Sequence, residues 1–148
     1  MSESELYRAC ENGDVTTART LIRAGVDINT RGRCNRTPLI IASMKNHPSI
    51  IELLLSSPSL DINAKDGSGY TALYYACDRG NDRVAQLLIE NTTSKLNLSI
   101  LSGGWTPLHA AAHNNRVGCV QQVLRHPQAT SIIDARDEDG NTALDWAR

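Results

Sequence analysis

His109 and His113 stand four residues apart in Thr106-Pro107-Leu108-His109-Ala110-Ala111-Ala112-His113. On a helix that spacing brings two imidazoles to one face, where they can share a metal ion. A site of that kind needs further ligands, and no carboxylate or cysteine at ligand spacing accompanies the pair. Asp137 and Glu138 form an acidic pair in a polar stretch, which reads as a solvated turn with nothing beside it to tune a carboxyl for proton transfer. Cys10, Cys34, Cys77 and Cys119 are scattered without a C-x-x-C. Three of the four, Cys10, Cys77 and Cys119, fall where small apolar residues recur, so they read as buried thiols of a reducing compartment. His47 and His126 sit where helices should turn and are expected at the surface. There is no G-x-S-x-G, no phosphate-binding glycine loop and no H-E-x-x-H. Neither catalysis, nor a cofactor, nor a bound metal is expected.

The elements that must carry these residues announce themselves by repetition. Thr37-Pro38-Leu39-Ile40-Ile41-Ala42, Thr71-Ala72-Leu73-Tyr74-Tyr75-Ala76, Thr106-Pro107-Leu108-His109-Ala110-Ala111 and Thr142-Ala143-Leu144-Asp145-Trp146-Ala147 start 34, 35 and 36 residues apart. A near-fixed period of this length signals a stack of like units, each too small to bury an apolar face alone. With 148 residues and 41% hydrophobic content the chain supports one continuous core. A net charge of −1 gives no overall pull toward nucleic acid or membrane. No apolar run approaches the ~20 residues of a membrane span. The opening Met1-Ser2-Glu3-Ser4-Glu5 is not a secretory signal. A cytoplasmic setting follows, with the nucleus as the alternative. Three Asn-x-Ser/Thr triplets, at Asn35, Asn91 and Asn97, read as chance matches.

Each unit spells out its own local structure. Thr37 is a helix N-cap, Pro38 fits the first helical position, and Leu39 points to the core. Asn46 ends the helix where Gly13 and Gly80 stand in other units, because asparagine tolerates left-handed backbone angles. Ile50, Ile51, Leu53, Leu54 and Leu55 give the second helix its apolar face, and Pro58 stops it. Asp61 to Tyr70 is polar and glycine-bearing, as a hairpin turn requires. In the first unit Ser4 replaces the capping threonine, Gly25 ends the second helix, and Asp27-Ile28-Asn29 opens the turn.

This pattern resembles the ankyrin repeat: T-P-L-H-x-A-A, a glycine stop, a V-x-x-L-L helix, then D-x-N and a turn. The resemblance covers Ser4 to Arg148. It implies an all-α repeat solenoid of stacked helix–turn–helix units with projecting β-hairpin or turn fingers. The approximate units are 4–34, 35–68, 69–103, 104–139 and a partial 140–148, in a single domain. Partners are expected across the fingertips and the inner helices, and the expected partner is another protein or peptide. Nucleic acid would need basic charge along the whole face, so neither it nor a membrane is expected, and the chain is expected to be a monomer.

Four departures and columns locate candidate recognition residues. The turn between Glu90 and Thr106 is long, lacks the acidic turn residue, and carries Leu96, Leu98, Ile100 and Leu101, either buried between fingers or offered to a partner. Charge is uneven: Arg31, Arg33, Arg36 and Lys45 crowd one end, whereas Asp134, Asp137, Glu138 and Asp139 surround Arg136 at the other. That gradient is either ordinary solvated surface or a device that orients a dipolar partner. The residue before each capping threonine reads Arg36, Tyr70, Trp105, Asn141. Helices in neighbouring units lie ~8–10 Å apart, so Tyr70 and Trp105 are expected to be neighbours, with Tyr74 close by. Met44, Asp78, Arg79, His113 and Asn114 precede the helix stops and should line the same surface, with Lys65 and Ser68 at a fingertip. A helix stack serving as the recruiting or regulatory arm of a larger protein is the alternative reading, and a metal-dependent hydrolase built on His109 and His113 the weakest. If the aromatic column is an interface anchor, Trp105→Ala should weaken partner binding at least about tenfold in a titration while the stack stays folded.

Overall fold

The computed structural model describes residues 4–91, 95–98 and 102–148. Glu3, Thr92, Thr93, Ser99, Ile100 and Leu101, on which parts of the cap, triplet and long-turn readings fall, lie outside them. The described residues form α1 (Glu5–Asn12), α2 (Val15–Arg23), α3 (Pro38–Met44), α4 (Pro48–Leu55), α5 (Ala72–Arg79), α6 (Asp82–Asn91), α7 (Pro107–His113), α8 (Val117–Leu124), α9 (Ala129–Ile132) and α10 (Ala143–Trp146). They stand in two rows. The inner row runs α1, α3, α5, α7, α10, each packed on the next; α2, α4, α6 and α8 form the outer row behind it. The whole is an all-helical solenoid of antiparallel helix pairs.

The threonine phrase does what its chemistry allows. Thr37, Thr71, Thr106 and Thr142 each accept, through the hydroxyl oxygen, the backbone N–H three residues on, at 3.2–3.3 Å. In two units the bond is reciprocated, by His109 and by Asp145. Ser4 occupies the same position but makes no side-chain cap bond, so the first unit is less tightly capped than its sequence implies. The stops Gly13, Asn46, Gly80 and Asn115 all take left-handed angles, with φ of 72°, 60°, 73° and 56°.

One aliphatic core threads the stack. Leu39, Ile50, Ile51, Leu54, Leu73, Val84, Leu88, Ala110, Ala111 and Val123 are all buried in it. Cys10, Cys77 and Cys119 are buried too, and only Cys34 is exposed. Burial pushes the Cys10 thiol up to about 12, so it is an inert space-filler. Among the described residues no helix is long and apolar enough to cross a membrane.

The fingers are tight turns, and the described residues contain no β-strand. Gly32 N–H donates to Arg36 O at 2.8 Å, Asp66 to Tyr70 at 2.9 Å and Asp137 to Asn141 at 2.9 Å, which closes three of the turns. Neighbouring fingers touch at single backbone bonds, Gly67 N–H to Cys34 O and Glu138 N–H to Gly103 O. The D-x-N asparagines complete the seam. Asn29 donates to Ser59 O and accepts from Asp61 N–H; Asn63 donates to Lys95 O and accepts from Asn97 N–H. Leu96 and Leu98 are buried, which settles the long-turn question for those two residues. The short helix α9 was not legible in the sequence.

His47 and His126 correct their surface assignment. His47 is half-buried, and its Nε2–H donates to Glu11 O of the preceding unit at 3.0 Å. Asn81 does the same to Ser43 O at 2.7 Å and Arg116 to Asp78 O at 3.3 Å. The residue after the stops Asn46, Gly80 and Asn115 is thus a staple to the unit before. His126 is buried, with Nδ1 accepting from Gln128 N–H.

Loss of a repeat-core leucine should be felt through the whole stack: Leu73→Ala is expected to cost about 2–5 kcal/mol in urea unfolding, against about 1 kcal/mol for the cap variant Thr71→Ala.

Candidate functional site

The column before the capping threonines is uniformly half-buried, at Arg36, Tyr70, Trp105 and Asn141. Each member sits at the base of a finger, held by a turn on one side and an inner helix on the other. What each touches depends on the residue four after the next threonine. Arg36 lies over the ring of Tyr75, with Cζ 5.6 Å from the centroid, and its Nε is 3.5 Å from Asp66. Trp105 lies against Trp146, the corresponding residue two units on from Tyr75, at 5.5 Å between centroids. The unit after Tyr70 offers only Ala110 at that place, so Tyr70 instead stacks on Tyr74, at 4.0 Å and 15°.

Two carboxylates underlie these contacts. Asp66 Oδ1 accepts from Ser68 and Tyr70 N–H, while Oδ2 accepts from the Tyr75 hydroxyl at 2.6 Å. Asp137 repeats the arrangement, Oδ1 on Asp139 and Asn141 N–H and Oδ2 on the Trp146 indole N–H at 2.7 Å. Burial and the bond to Asp66 push the Tyr75 hydroxyl up to about 12. Removal from water works to raise the Asp137 carboxyl, yet the indole and backbone donors outweigh it and hold the group below its usual value. The reading of Asp137 as a solvated turn residue is therefore corrected: it is buried and organises the last finger.

Tyr70 and Trp105 make no ring contact with each other, although unit spacing leads one to expect them side by side. Their side chains lean to their own partners and make two separate clusters, Tyr70–Tyr74–Tyr75 and Trp105–His113–Trp146. His113 is exposed, edge-on to both indoles at 5.4 and 4.9 Å. His109 is buried. Its Nε2–H donates to Asn141 O at 3.1 Å and its Nδ1 accepts from Thr106 N–H at 3.2 Å, which occupies both ring nitrogens. Among the described residues no three His, Cys, Asp or Glu side chains group as a metal site would need.

The charged candidates divide between structure and surface. Arg31 donates to Asn35 O and Lys65 O, and Arg136 to Gly140 O, so both guanidinia wrap finger turns. Arg33 reaches Glu11 with both carboxylate oxygens at 3.0 Å, an exposed pair worth little. Lys45, Lys65, Ser68, Arg79 and Glu138 are exposed, whereas Met44 is half-buried against the core. Asp78 is half-buried and accepts from Asn114 at 2.9 Å across two units. The positive end is thus more neutralised than its residue count suggests, and the negative end has lost Asp137 to the interior. The residues missed by sequence reading are Trp146 and Tyr75, whose polar tips hold the finger carboxylates; their common place four after the threonine is the signal that could have found them.

Family comparison agrees with this architecture. The chain matches the family described as Ankyrin repeats (3 copies) over residues 6–100 and again over 95–148. The chain belongs to the ankyrin repeat family. It is 33% identical over 98% of its length to alpha-latrotoxin-Lg1a of Latrodectus geometricus. It is 35% identical over 94% to "Probable E3 ubiquitin-protein ligase XBOS33" of Oryza sativa subsp. japonica, and 30% over 95% to inversin of Gallus gallus. It spans 11%, 26% and 12% of those relatives' own lengths. Ankyrin repeats generally mediate contacts between proteins and are generally non-catalytic.

Among the described residues of this ankyrin stack three carboxyls are held low: Asp14 by Thr17, Asp137 as above, and Asp145 by the Thr142 N–H and hydroxyl. A carboxyl that is low in the folded chain and ordinary in the unfolded one stabilises the fold above the ordinary range near pH 4. That contribution is lost as pH falls through the folded value. The urea midpoint should therefore hold from pH 7 to 5 and decline below about 4, and Asp137→Asn should flatten the decline while lowering the midpoint at pH 7.

Proposed function

We propose that this chain is a non-catalytic recognition module that holds a partner protein along its inner helices and finger bases, with two aromatic clusters as anchors. The observation that carries the reading is that rings stand half-exposed at successive finger bases. Tyr70 and Tyr74 stack at one, and Trp105 meets Trp146 under an exposed His113 at the next. Rigid aromatic surface of this kind gives contact area at little entropic cost and dominates interface energetics. Lys45 and Arg79 are exposed at the ends of α3 and α5, and Glu138 and Asp139 are exposed on the last finger. A partner segment with acidic groups toward the first units and basic groups toward the last fits that order. The reduced, buried thiols fit a cytoplasmic or nuclear setting.

Trp105 is a compromised probe, because its truncation would remove packing against Trp146 along with any contact surface. His113→Ala and Tyr70→Ala separate the two. A pull-down from native lysate with the wild type should capture a defined protein that both variants bind at least about fivefold more weakly, at unchanged helicity. A partner retained at full affinity by both variants would sink this assignment of the surface.

A second reading, a recruiting arm within a larger protein, is favoured by the small share of its relatives that the chain spans, one of them named as a ligase. Immunoblotting native lysate for a species far heavier than 16.1 kDa tests it.

A further inference from the structure

One cation-over-ring contact is built within the chain itself. Arg36 lies over Tyr75 with Cζ 5.6 Å from the ring centroid, and the buried Asp66 holds the Tyr75 hydroxyl at 2.6 Å. Arg36 stands just before one capping threonine, while Asp66 and Tyr75 stand five before and four after the next. Trp105, Asp137 and Trp146 occupy the same three places two units later. Acid and ring recur there, but an indole stands where the guanidinium stood. The two indoles are half-buried, 5.5 Å apart and tilted by 38°, with His113 exposed at their edges. Trp146 gives its N–H to Asp137 at 2.7 Å. A carboxylate on the indole N–H pushes electron density into the ring and deepens the negative potential over its face. Indole is already the strongest cation acceptor among aromatic side chains. Glu138 and Asp139 are exposed on the same finger, and Glu138 N–H meets Gly103 O at 3.1 Å, on the finger that carries Trp105. The cations nearby have other acceptors: Arg136 donates to Gly140 O at 2.7 Å, and Arg148 acts on the Asp145 carboxyl.

We propose that the Trp105–Trp146 pair is a subsite for an arginine side chain of a partner protein. Its guanidinium would supply from outside the cation that Arg36 supplies over Tyr75. Guanidinium fits better than ammonium for two reasons. It is flat and weakly hydrated, so it lies on an indole at small desolvation cost, and its edge N–H groups stay free to donate to Glu138 or Asp139. A carboxylate or phosphate is repelled by the acids of this finger. An aliphatic side chain leaves them unmatched. The subsite rests on the concave-face reading above and names the side chain that reading expects at the last finger.

The chain has two tryptophans, and both stand here, so their indole N–H resonances report the subsite directly. The probes are capped pentapeptides with a central arginine, lysine or norleucine between glycines, titrated at low salt. The arginine peptide should move both resonances saturably and bind at least about fivefold more tightly than the lysine peptide, and norleucine should move neither. Trp105→Arg rebuilds the Arg36 arrangement, so it should keep the circular dichroism of the wild type and abolish the Trp146 response. The exposed double variant Glu138→Gln/Asp139→Asn, which no packing depends on, should weaken arginine binding at least about threefold. No response, an equal response to arginine and lysine, or full affinity retained by the double variant overturns the proposal. A partner captured through Tyr70 while the arginine peptide leaves the indoles unmoved excludes this subsite and leaves the wider surface standing. An arginine-selective response with no partner captured supports the subsite and counts against the wider surface alone.

Discussion

No unit of this chain can bury its apolar face by itself, and every other feature answers to that constraint. A helix pair of this size covers one side of its leucines and leaves the other to a neighbour. The pairs must therefore stack in register, and the register must be held at three levels. At the inner helices it is held by the aliphatic columns. At the helix stops it is held by His47, Asn81 and Arg116, which each donate back to a carbonyl of the preceding unit. At the turns it is held by Asn29 and Asn63, whose amides both donate to and accept from the next unit. These polar staples satisfy backbone groups that close packing would otherwise strip of water. They also oppose any slip of one unit over another, because a slip would break both kinds of contact together.

The finger carboxylates show how sequence variation is confined within that frame. Asp66 and Asp137 are buried where a free carboxylate would be costly, and each is matched by backbone donors and by the tip of a ring, Tyr75 or Trp146. The acid and the ring come together or not at all. The turn at Gly32 has no such acid and its helix carries Ile41; the turn at Ser102–Gly104 has none and its helix carries Ala110. Placing one without the other would leave either a buried carboxylate short of donors or a buried phenol without an acceptor.

Most of the fold was legible because the threonine phrase states its own geometry. Cap, core leucine and left-handed stop are local chemistry, and the three units that open at Thr37, Thr71 and Thr106 have all of them in place, whereas Ser4 makes no cap bond and Leu144 is exposed. Two misplaced polar side chains, His47 and Asp137, share one cause, which is that their partners lie outside their own unit. His47 was placed at the surface because nothing in its own unit needs a donor; the needy carbonyl, Glu11 O, lies 36 residues earlier in the chain. Asp137 was taken as solvated because its partner, Trp146, lies across a turn and a cap. Tyr70 and Trp105 were paired by helix spacing, but a ring chooses between its own helix and the next, and Ala110 gives Tyr70 nothing to meet on the far side. Of the hairpin or turn fingers expected, the described residues have turns, closed by single backbone bonds and joined to the next unit by the asparagine bridges.

The same bookkeeping narrows where recognition can reside. A guanidinium that closes a turn, as Arg31 and Arg136 do, or that covers a buried acid, as Arg36 does, cannot turn outward without undoing what it holds. Basic residues counted along the sequence therefore overstate the positive field at the first fingers. What remains is a different set, in which Lys45 and Arg79 are exposed on the inner helices and the rings at the finger bases are only half-covered. A surface so built is rigid by default, because each half-exposed ring is fixed on its inner side by a helix and below by a turn. A partner then meets preorganised aromatic surface with mobile charge at its margin, so its aromatic contacts come at little ordering cost and its charged contacts set orientation.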